Sequence, residues 1–409
     1  MCFSRQSLAV TVDFLVIGAG IAGASTAYFL APHGRTLVIE RESHPGFHST
    51  GRSAALFSET YGTPQVRALS RASRPFFETW QHGFSQVPIL SPRGALMVGT
   101  PGSDALLETE LAAMRRITPE VSRLEAADVL ARVPVLRESI TGAAILEPDA
   151  CDIDVHALHQ GFLRGLRARG GEVLCDAPID AIERGASGWT VRSGDRRWRA
   201  AVLVNAAGAW ADRVAIMAGV RPIGLQPKRR TAFTFAPPAG LDTRHWPAVI
   251  ALDESWYFKP DAGVLLGSPA NADPVDPHDV QAEELDVATA IHRIESASSL
   301  TIRRPIRIWA GLRSFVADGD LVGGPAPDDP AFCWVAAQGG YGIQTSAAMG
   351  EACAALARGA PVPDHLASHG IHAAMLSAAR LSRGDSLPPI AGHTDKHIDH
   401  HLNEPRGSE

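Results

Sequence analysis

Apolar residues along this chain follow two rhythms, separated by polar breaks rich in glycine. The run Phe14-Leu-Val-Ile17 follows the charge of Asp13 and stops at Gly18, the signature of a short buried strand. Ile21 to Leu30 is rich in Ala and predicts a helix, which Pro32 and Gly34 end. Thr36-Leu-Val-Ile39 then predicts a second buried strand. Gly51 to Tyr61 reads as a loop, followed by mixed helical segments to about Arg132. Helical spacing returns over Asp154 to Arg169, where Leu158, Phe162, Leu163 and Leu166 share a face, and Gly170-Gly171 leads into the strand Glu172-Val-Leu-Cys175. Strand-like pieces at Ile179 to Ile182, Trp189 to Arg192 and Trp198 to Ala201 predict an antiparallel meander. Ala201-Val-Leu-Val-Asn-Ala-Ala-Gly208 predicts a further buried strand ending in small residues beside Ala209 and Trp210.

From Arg221 to Arg307 alternating segments, such as Arg230 to Phe235 and Trp256 to Lys259, predict an antiparallel sheet. Trp309-Ala-Gly-Leu-Arg-Ser314, a loop at Asp318-Gly-Asp320 and a strand at Phe332 to Ala336 follow. Gln338-Gly-Gly-Tyr-Gly342 is expected to open a helix running to about Ala357. The fold class is therefore α/β: a Rossmann-like nucleotide domain assembled from 12–60, 150–215 and 308–383, with an inserted antiparallel-sheet α+β substrate domain from 61–149 and 216–307. Residues 384–409 are polar and read as a disordered tail. A metal site on its His393, His397, His400 and His401 is the lesser alternative, and no metal centre is expected.

The glycine turn between the first strand and helix carries the chemistry. Gly18 permits the tight turn, Gly20 lets backbone approach a pyrophosphate, and Gly23 lets helix and strand pack closely. The phosphates would sit at the positive helix start near Ile21 and Ala22. Glu40 closes the second strand 22 residues after Gly18, placed to accept hydrogen bonds from ribose hydroxyls and to repel a 2′-phosphate. NADP is disfavoured, and NAD or FAD remains open on these residues alone. The meander, the second small-residue strand end and the C-terminal glycine loop exceed what NAD requires. A flavin must be held between two domains, far from its pyrophosphate.

Bulk properties narrow the partners. The chain has 409 residues, with 38 Lys plus Arg against 44 acidic residues and a formal charge of −6, which argues against nucleic acid. The N-terminus shows no signal-peptide pattern, and no apolar run is long enough for a transmembrane segment. Five scattered cysteines without CxxC spacing suit reduced thiols in a cytoplasmic protein, peripheral membrane attachment staying open, and favour a non-covalent cofactor.

With Gly18-Ala-Gly-Ile-Ala-Gly23, Glu40-Arg-Glu42, Ser49-Thr-Gly-Arg-Ser53, Asn205-Ala-Ala-Gly-Ala-Trp210 and Gln338-Gly-Gly-Tyr-Gly342 in place, the sequence resembles the D-amino-acid oxidase and glycine oxidase superfamily of flavoproteins. Within it, His48-Ser-Thr-Gly-Arg-Ser-Ala-Ala55, Tyr61-Gly-Thr-Pro-Gln-Val-Arg67, Gln226-Pro-Lys-Arg-Arg230 and Leu266-Gly-Ser-Pro-Ala-Asn-Ala-Asp-Pro274 resemble the bacterial D-arginine dehydrogenase group. The resemblance implies a glutathione-reductase-like FAD domain. FAD contacts are implied at Gly18, Gly20, Ile21, Ala22, Gly23, Glu40 and Arg41, then Gly51, Arg52, Ser53, Ala54 and Val173. Further contacts are implied at Ala207, Gly208, Trp210 and Arg313, and along Gly339, Gly340, Tyr341, Gly342, Ile343, Gln344 and Thr345.

The same resemblance implies oxidation of a D-amino acid by hydride transfer from Cα, giving an imino acid that hydrolyses to a 2-oxo acid and ammonia. Arg313 would grip the substrate carboxylate bidentately, with Arg230 and the Tyr257 hydroxyl beside it; a surface strand charge is the alternative for Arg230. The Gly340 carbonyl would accept from the amine, Ser53 and Ala54 would lie near flavin N5, and Tyr61 would be a mobile lid, an ordinary packed Tyr being the alternative. Gln344 and Thr345 would donate at the cofactor or simply cap the helix. The electron acceptor is unknown, with a quinone or respiratory carrier plausible.

Two positions depart from the basic-substrate pattern. Leu56 stands where that group has a pocket His, and Ala95 where it has an acidic residue. With Leu56, Phe57 and Trp256 nearby, neutral or hydrophobic D-amino acids are favoured over basic ones, unless Glu59 or Glu254 reaches in. The alternatives are D-arginine or D-lysine dehydrogenation, oxidation of glycine, sarcosine or another secondary amine, and a non-enzymatic flavin-binding protein, which the set Arg230, Tyr257 and Arg313 argues against.

Overall fold

A computed structural model describes residues 10–79 and 83–382. The 384–409 tail and its four histidines lie outside the described residues. No helix described is long and apolar enough to cross a membrane.

The first sheet has eight strands. Its parallel centre runs in the order Glu172–Leu174, Thr36–Ile39, Val10–Ile17, Arg196–Asn205 and Phe332–Ala336. Gly188–Ser193 and Ala181–Gly185 extend it antiparallel on one side, and Val322–Pro325 pairs antiparallel with Phe332–Ala336. The third meander strand and the buried strand after it, expected as separate elements, are one ten-residue strand, Arg196–Asn205. Its first half alternates buried and exposed positions as half of a hairpin, and its second half, Leu203-Val204-Asn205, is buried throughout between parallel neighbours. The change of rhythm marks a change of surroundings within a single strand.

Helix Ile21–Leu30 lies against Val155–Ala168 and Ser346–Ala357 as well as the sheet. Eight of its ten residues are buried, which explains a small-residue composition with no polar face. A Cβ on Gly350 would come within 2.7 Å of Ser25 Oγ, so two helices meet here almost backbone to backbone.

The second sheet has nine strands and is mainly antiparallel. Residues 95–147 supply three of them and residues 226–315 the rest. Short strands at Leu90–Pro92, Ala95–Val98 and Ser122–Leu124 interrupt the region expected to be helical up to Arg132. Runs of three or four residues are too short to display a period, so they were invisible in the pattern. The strand Arg307–Phe315, expected to open the third stretch of the nucleotide domain at 308, instead pairs along its whole length with Gln226–Phe235 in this second sheet. The C-terminal helix begins at Ser346, later than expected, because Gln338 to Thr345 is spent on tight turns.

Candidate active site

The dinucleotide turn is built as its glycines require. Gly18 has φ +99°, and a Cβ there would lie 2.5 Å from the Ala206 carbonyl oxygen. A Cβ on Gly23 would fall 1.9 Å from the Gly18 carbonyl oxygen. Neither position accepts a side chain. The helix starting at Ile21 has Gly20 as its N-cap, no side-chain cap and no acidic residue in its first turn. Its positive end is left for an external anion, and that fits a pyrophosphate. The Ile21 N–H donates to Thr50 Oγ1 at 3.0 Å, which ties the turn to the loop Ser49–Arg52.

Buried Glu40 accepts from the Ala19 N–H at 2.8 Å and the Glu42 N–H at 3.0 Å. Beside it the Arg41 guanidinium lies 5.3 Å from the Trp210 ring, which also packs on His48 at 4.6 Å. Ala207 and Gly208, the latter at φ +56°, turn the chain after Asn205, and Val173 pairs with Val38 in the adjacent strand. His159 was not expected here. Its Nε2 donates to the Ala19 carbonyl at 2.9 Å, and burial depresses its pKa below the ordinary histidine value, so it is a neutral brace beneath the turn.

Several expected cofactor contacts are engaged within the protein. The Arg52 side chain donates to the Val280 and Ala310 carbonyls and pairs with Asp279, so it joins the two sheets' loops. Ser53 Oγ accepts from the Ala55 N–H, leaving Gly51 and Ala54 to act through backbone. Gln344 donates to the Ser58 carbonyl and Ser70 Oγ and accepts from the Ser58 N–H, while Thr345 Oγ1 donates to the Tyr341 carbonyl. Neither side chain acts as a helix cap. The Gly339 N–H donates to the Ser314 carbonyl at 2.9 Å, so the peptide groups of Gly340, Gly342 and Ile343 remain the local cofactor-facing candidates.

The substrate end rests on two adjacent strands. Arg230 sits opposite Gly311 in the ladder, and Arg313 sits two residues further along, opposite Lys228. Two-residue spacing puts Arg230 and Arg313 on one face as diagonal neighbours. Neither is in an ion pair among the described residues. Arg230 Nε donates to the Asn271 carbonyl, and Arg313 Nη2 donates to the Tyr61 hydroxyl at 3.2 Å. Burial and the charge of Arg313 lower the Arg230 pKa. Burial also opposes the Arg313 charge, but Tyr61 and Tyr341 outweigh it and the net shift is upward. The directions differ, and a guanidinium stays protonated in proteins, so both are cations. Two half-buried cations with no ion-pair partner among the described residues make a candidate anion site, and their fork geometry suits a carboxylate.

Gly340 presses on Arg313: a Cβ there would lie 1.5 Å from Arg313 Nη2. Tyr61 and Tyr341 rings meet edge to face at 5.1 Å, and burial, with Tyr61 beside it, pushes the Tyr341 phenol well above its ordinary pKa. Tyr257 acts electrostatically on both arginines. Ala95 is buried opposite Glu147, Leu56 is half-buried, and Glu59 is taken by Arg74. Half-buried Glu254, at φ +56°, acts on Arg230 and Tyr341 through its charge.

Residues 13–356 match the family model described as FAD dependent oxidoreductase, DAO. The chain belongs to this family. It is 25% identical over 363 residues to glycine oxidase of Bacillus licheniformis, covering 86% of this chain and 94% of that protein. It is 29% identical over 245 residues to L-2-hydroxyglutarate dehydrogenase of Salmonella houtenae, covering 55% of this chain, and spans about half (54%) of that relative. Among solved structures, glycine oxidase from Geobacillus kaustophilus superposes with TM-score 0.76 at 21% identity over 86% of this chain and 96% of that one. L-alpha-glycerophosphate oxidase from Mycoplasma pneumoniae with FAD bound gives 0.77 at 17% identity, over 85% and 95%. The two-sheet α/β architecture described above is thus that of a member of the FAD dependent oxidoreductase family.

Proposed function

We propose that this enzyme oxidatively deaminates D-amino acids, favouring neutral or hydrophobic side chains. The observation that carries the reading is the pair Arg230 and Arg313, free of ion-pair partners among the described residues and with Arg313 packed against Gly340, in a family whose cofactor is FAD. FAD, held non-covalently on the glycine turn, Glu40 and the Gly339 to Ile343 loop, supplies an acceptor for a hydride from the substrate Cα. The protein's own residues bind and orient. Arg313 takes the carboxylate bidentately, Arg230 and the Tyr257 hydroxyl complete its shell, and the Gly340 carbonyl accepts from the amine. Tyr61 and Tyr341 cover the site and exclude water.

No side-chain base is assigned. The amine loses its proton before Cα–H cleavage, the imino acid forms, and water converts it to a 2-oxo acid and ammonia. Ala95 and Leu56 offer no charge for a cationic side chain, and the Glu59 carboxylate is already paired. Glu254 supports a second reading, in which it receives a basic side chain; its influence on Arg230 is the reason to keep D-arginine and D-lysine in any panel. Electrons would pass onward to a quinone or other respiratory carrier.

The test is turnover of D-alanine, D-methionine, D-phenylalanine, D-arginine, glycine and sarcosine, followed by reduction of a dye acceptor, with ammonia and 2-oxo acid scored together for all but sarcosine, whose oxidation releases no ammonia. Turnover of the neutral D-amino acids at the highest kcat/KM supports the proposal. Turnover confined to glycine and sarcosine would replace it with amine oxidation.

A further inference from the structure

The segment 58–63, which carries Tyr61 to the arginine pair, is fastened residue by residue to buried groups outside that pair. Glu147, at the end of strand Ala144–Glu147, is 2% exposed. Its Oε2 accepts from Ser58 Oγ and from Thr60 Oγ1, each at 2.7 Å, and its Oε1 accepts from the Glu59 N–H at 3.1 Å. Three consecutive residues thus converge on one carboxylate. Ser58 is also held through its backbone by Gln344, at 3.3 Å and 3.2 Å, on the loop that carries Gly340. Beyond Tyr61, Gly62 turns at φ +92°, and Thr63 caps the next helix while its hydroxyl donates to Asp320.

We infer that Glu147 is a positioning residue: it fixes segment 58–60 so that the Tyr61 hydroxyl meets Arg313 and holds the guanidinium in its carboxylate-binding orientation. The inference rests on the carboxylate-clamp reading above. A buried carboxylate is costly to enclose, and apolar residues in place of Glu147 and its two hydroxyl partners together would serve fold stability as well. Burial does push the Glu147 carboxyl pKa upward, and the three donors counter that shift. Arg67, whose Nε has no hydrogen-bond partner, adds a favourable charge from nearby without an ion pair. The carboxylate is justified by what it holds in place. Tyr61 therefore departs from the free lid expected of the sequence: it is the middle of a strap anchored on both sides.

Glu147→Ala, Glu147→Gln and a Ser58→Ala/Thr60→Val double variant test this in the FAD-loaded enzyme. The probe is propionate, a carboxylate without an amine, titrated by the change it causes in the flavin absorbance band. Glu147→Ala is expected to weaken propionate at least tenfold and raise KM similarly, with kcat altered less than threefold and FAD content unchanged. In Glu147→Gln the amide oxygen still accepts from Glu59 and the two hydroxyls reverse to accept from the amide, so affinity should stay within threefold of wild type. Hydrogen exchange at the Glu59 amide should quicken in Glu147→Ala only.

A change below threefold in Glu147→Ala, or a Gln variant as weak as the Ala variant, would overturn the inference. Should Glu147→Ala not fold, the double variant decides by the same thresholds. Wild-type enzyme that ignores propionate would bring down the clamp reading and this inference together. Normal wild-type binding with an indifferent Glu147→Ala would remove this inference alone.

Discussion

Gly340→Ala separates folding from substrate capture by one methyl group. The new Cβ would stand 1.5 Å from Arg313 Nη2, 2.1 Å from its Cζ and 2.2 Å from its Nε, overlaps no contact tolerates. Gly340 is not among the residues at positive φ, so the backbone itself accepts Ala. The flexible end of Arg313 must therefore swing aside. Leaving its place costs the Tyr61 hydrogen bond, about 1.5–3 kcal/mol for a charged donor, so the protein should still fold and hold FAD. It also removes the fork from the carboxylate position. Breaking a desolvated charged pair of this kind costs about 2–5 kcal/mol. That corresponds to a fall in kcat/KM of about 30-fold to about 4,000-fold. Steady-state kinetics with a neutral D-amino acid, alongside a melting curve and the FAD-to-protein ratio, measures all three quantities. A folded, FAD-replete Gly340→Ala enzyme with kcat/KM within threefold of wild type would refute the assigned carboxylate site.

Other expectations follow from the same geometry. Gly23→Ala forces a Cβ into the Gly18 carbonyl, and should yield protein depleted of FAD, measured by the 280 to 450 nm absorbance ratio after purification (~10-fold or greater loss, given that backbone cannot give way). His159 has a folded pKa below its unfolded value, so the unfolded state binds the extra proton first. Its contribution to stability is full above the unfolded pKa of 6.5 and is lost as pH falls through the folded one; the holoenzyme melting temperature should drop on acidification, with a smaller slope in His159→Gln. For the reaction itself, kcat/KM should rise with pH to a plateau as the substrate amine loses its proton, and a flat profile would require an enzymic base instead.

Much of the cofactor half was legible in the sequence because its constraints are local. Gly18, Gly20, Gly23 and Glu40 lie within one strand-turn-helix-strand unit, where spacing alone fixes geometry. The helix Val155–Ala168 and the strand Phe332–Ala336 were equally plain, each having one kind of surroundings along its length. Arg196–Asn205 was divided in two because its surroundings change midway. The strand Arg307–Phe315 joined the second sheet through a ladder with residues some eighty positions earlier, a relation no local window contains. Thr50, Glu147 and His159 were missed for the same reason: each acts through one polar contact over a long separation, and a lone Thr, Glu or His carries no periodic signal. Tyr61 and Gln344 were noticed, but their partners within the protein were not.

The most direct measurement is anaerobic titration of the purified yellow enzyme with paired D- and L-amino acids, following the flavin band near 450 nm. Bleaching by neutral D-amino acids, absent with their L-enantiomers and abolished in Arg313→Ala at the same concentrations, is the expected result. A band that survives every D-amino acid yet bleaches with an L-amino acid or a 2-hydroxy acid would contradict it.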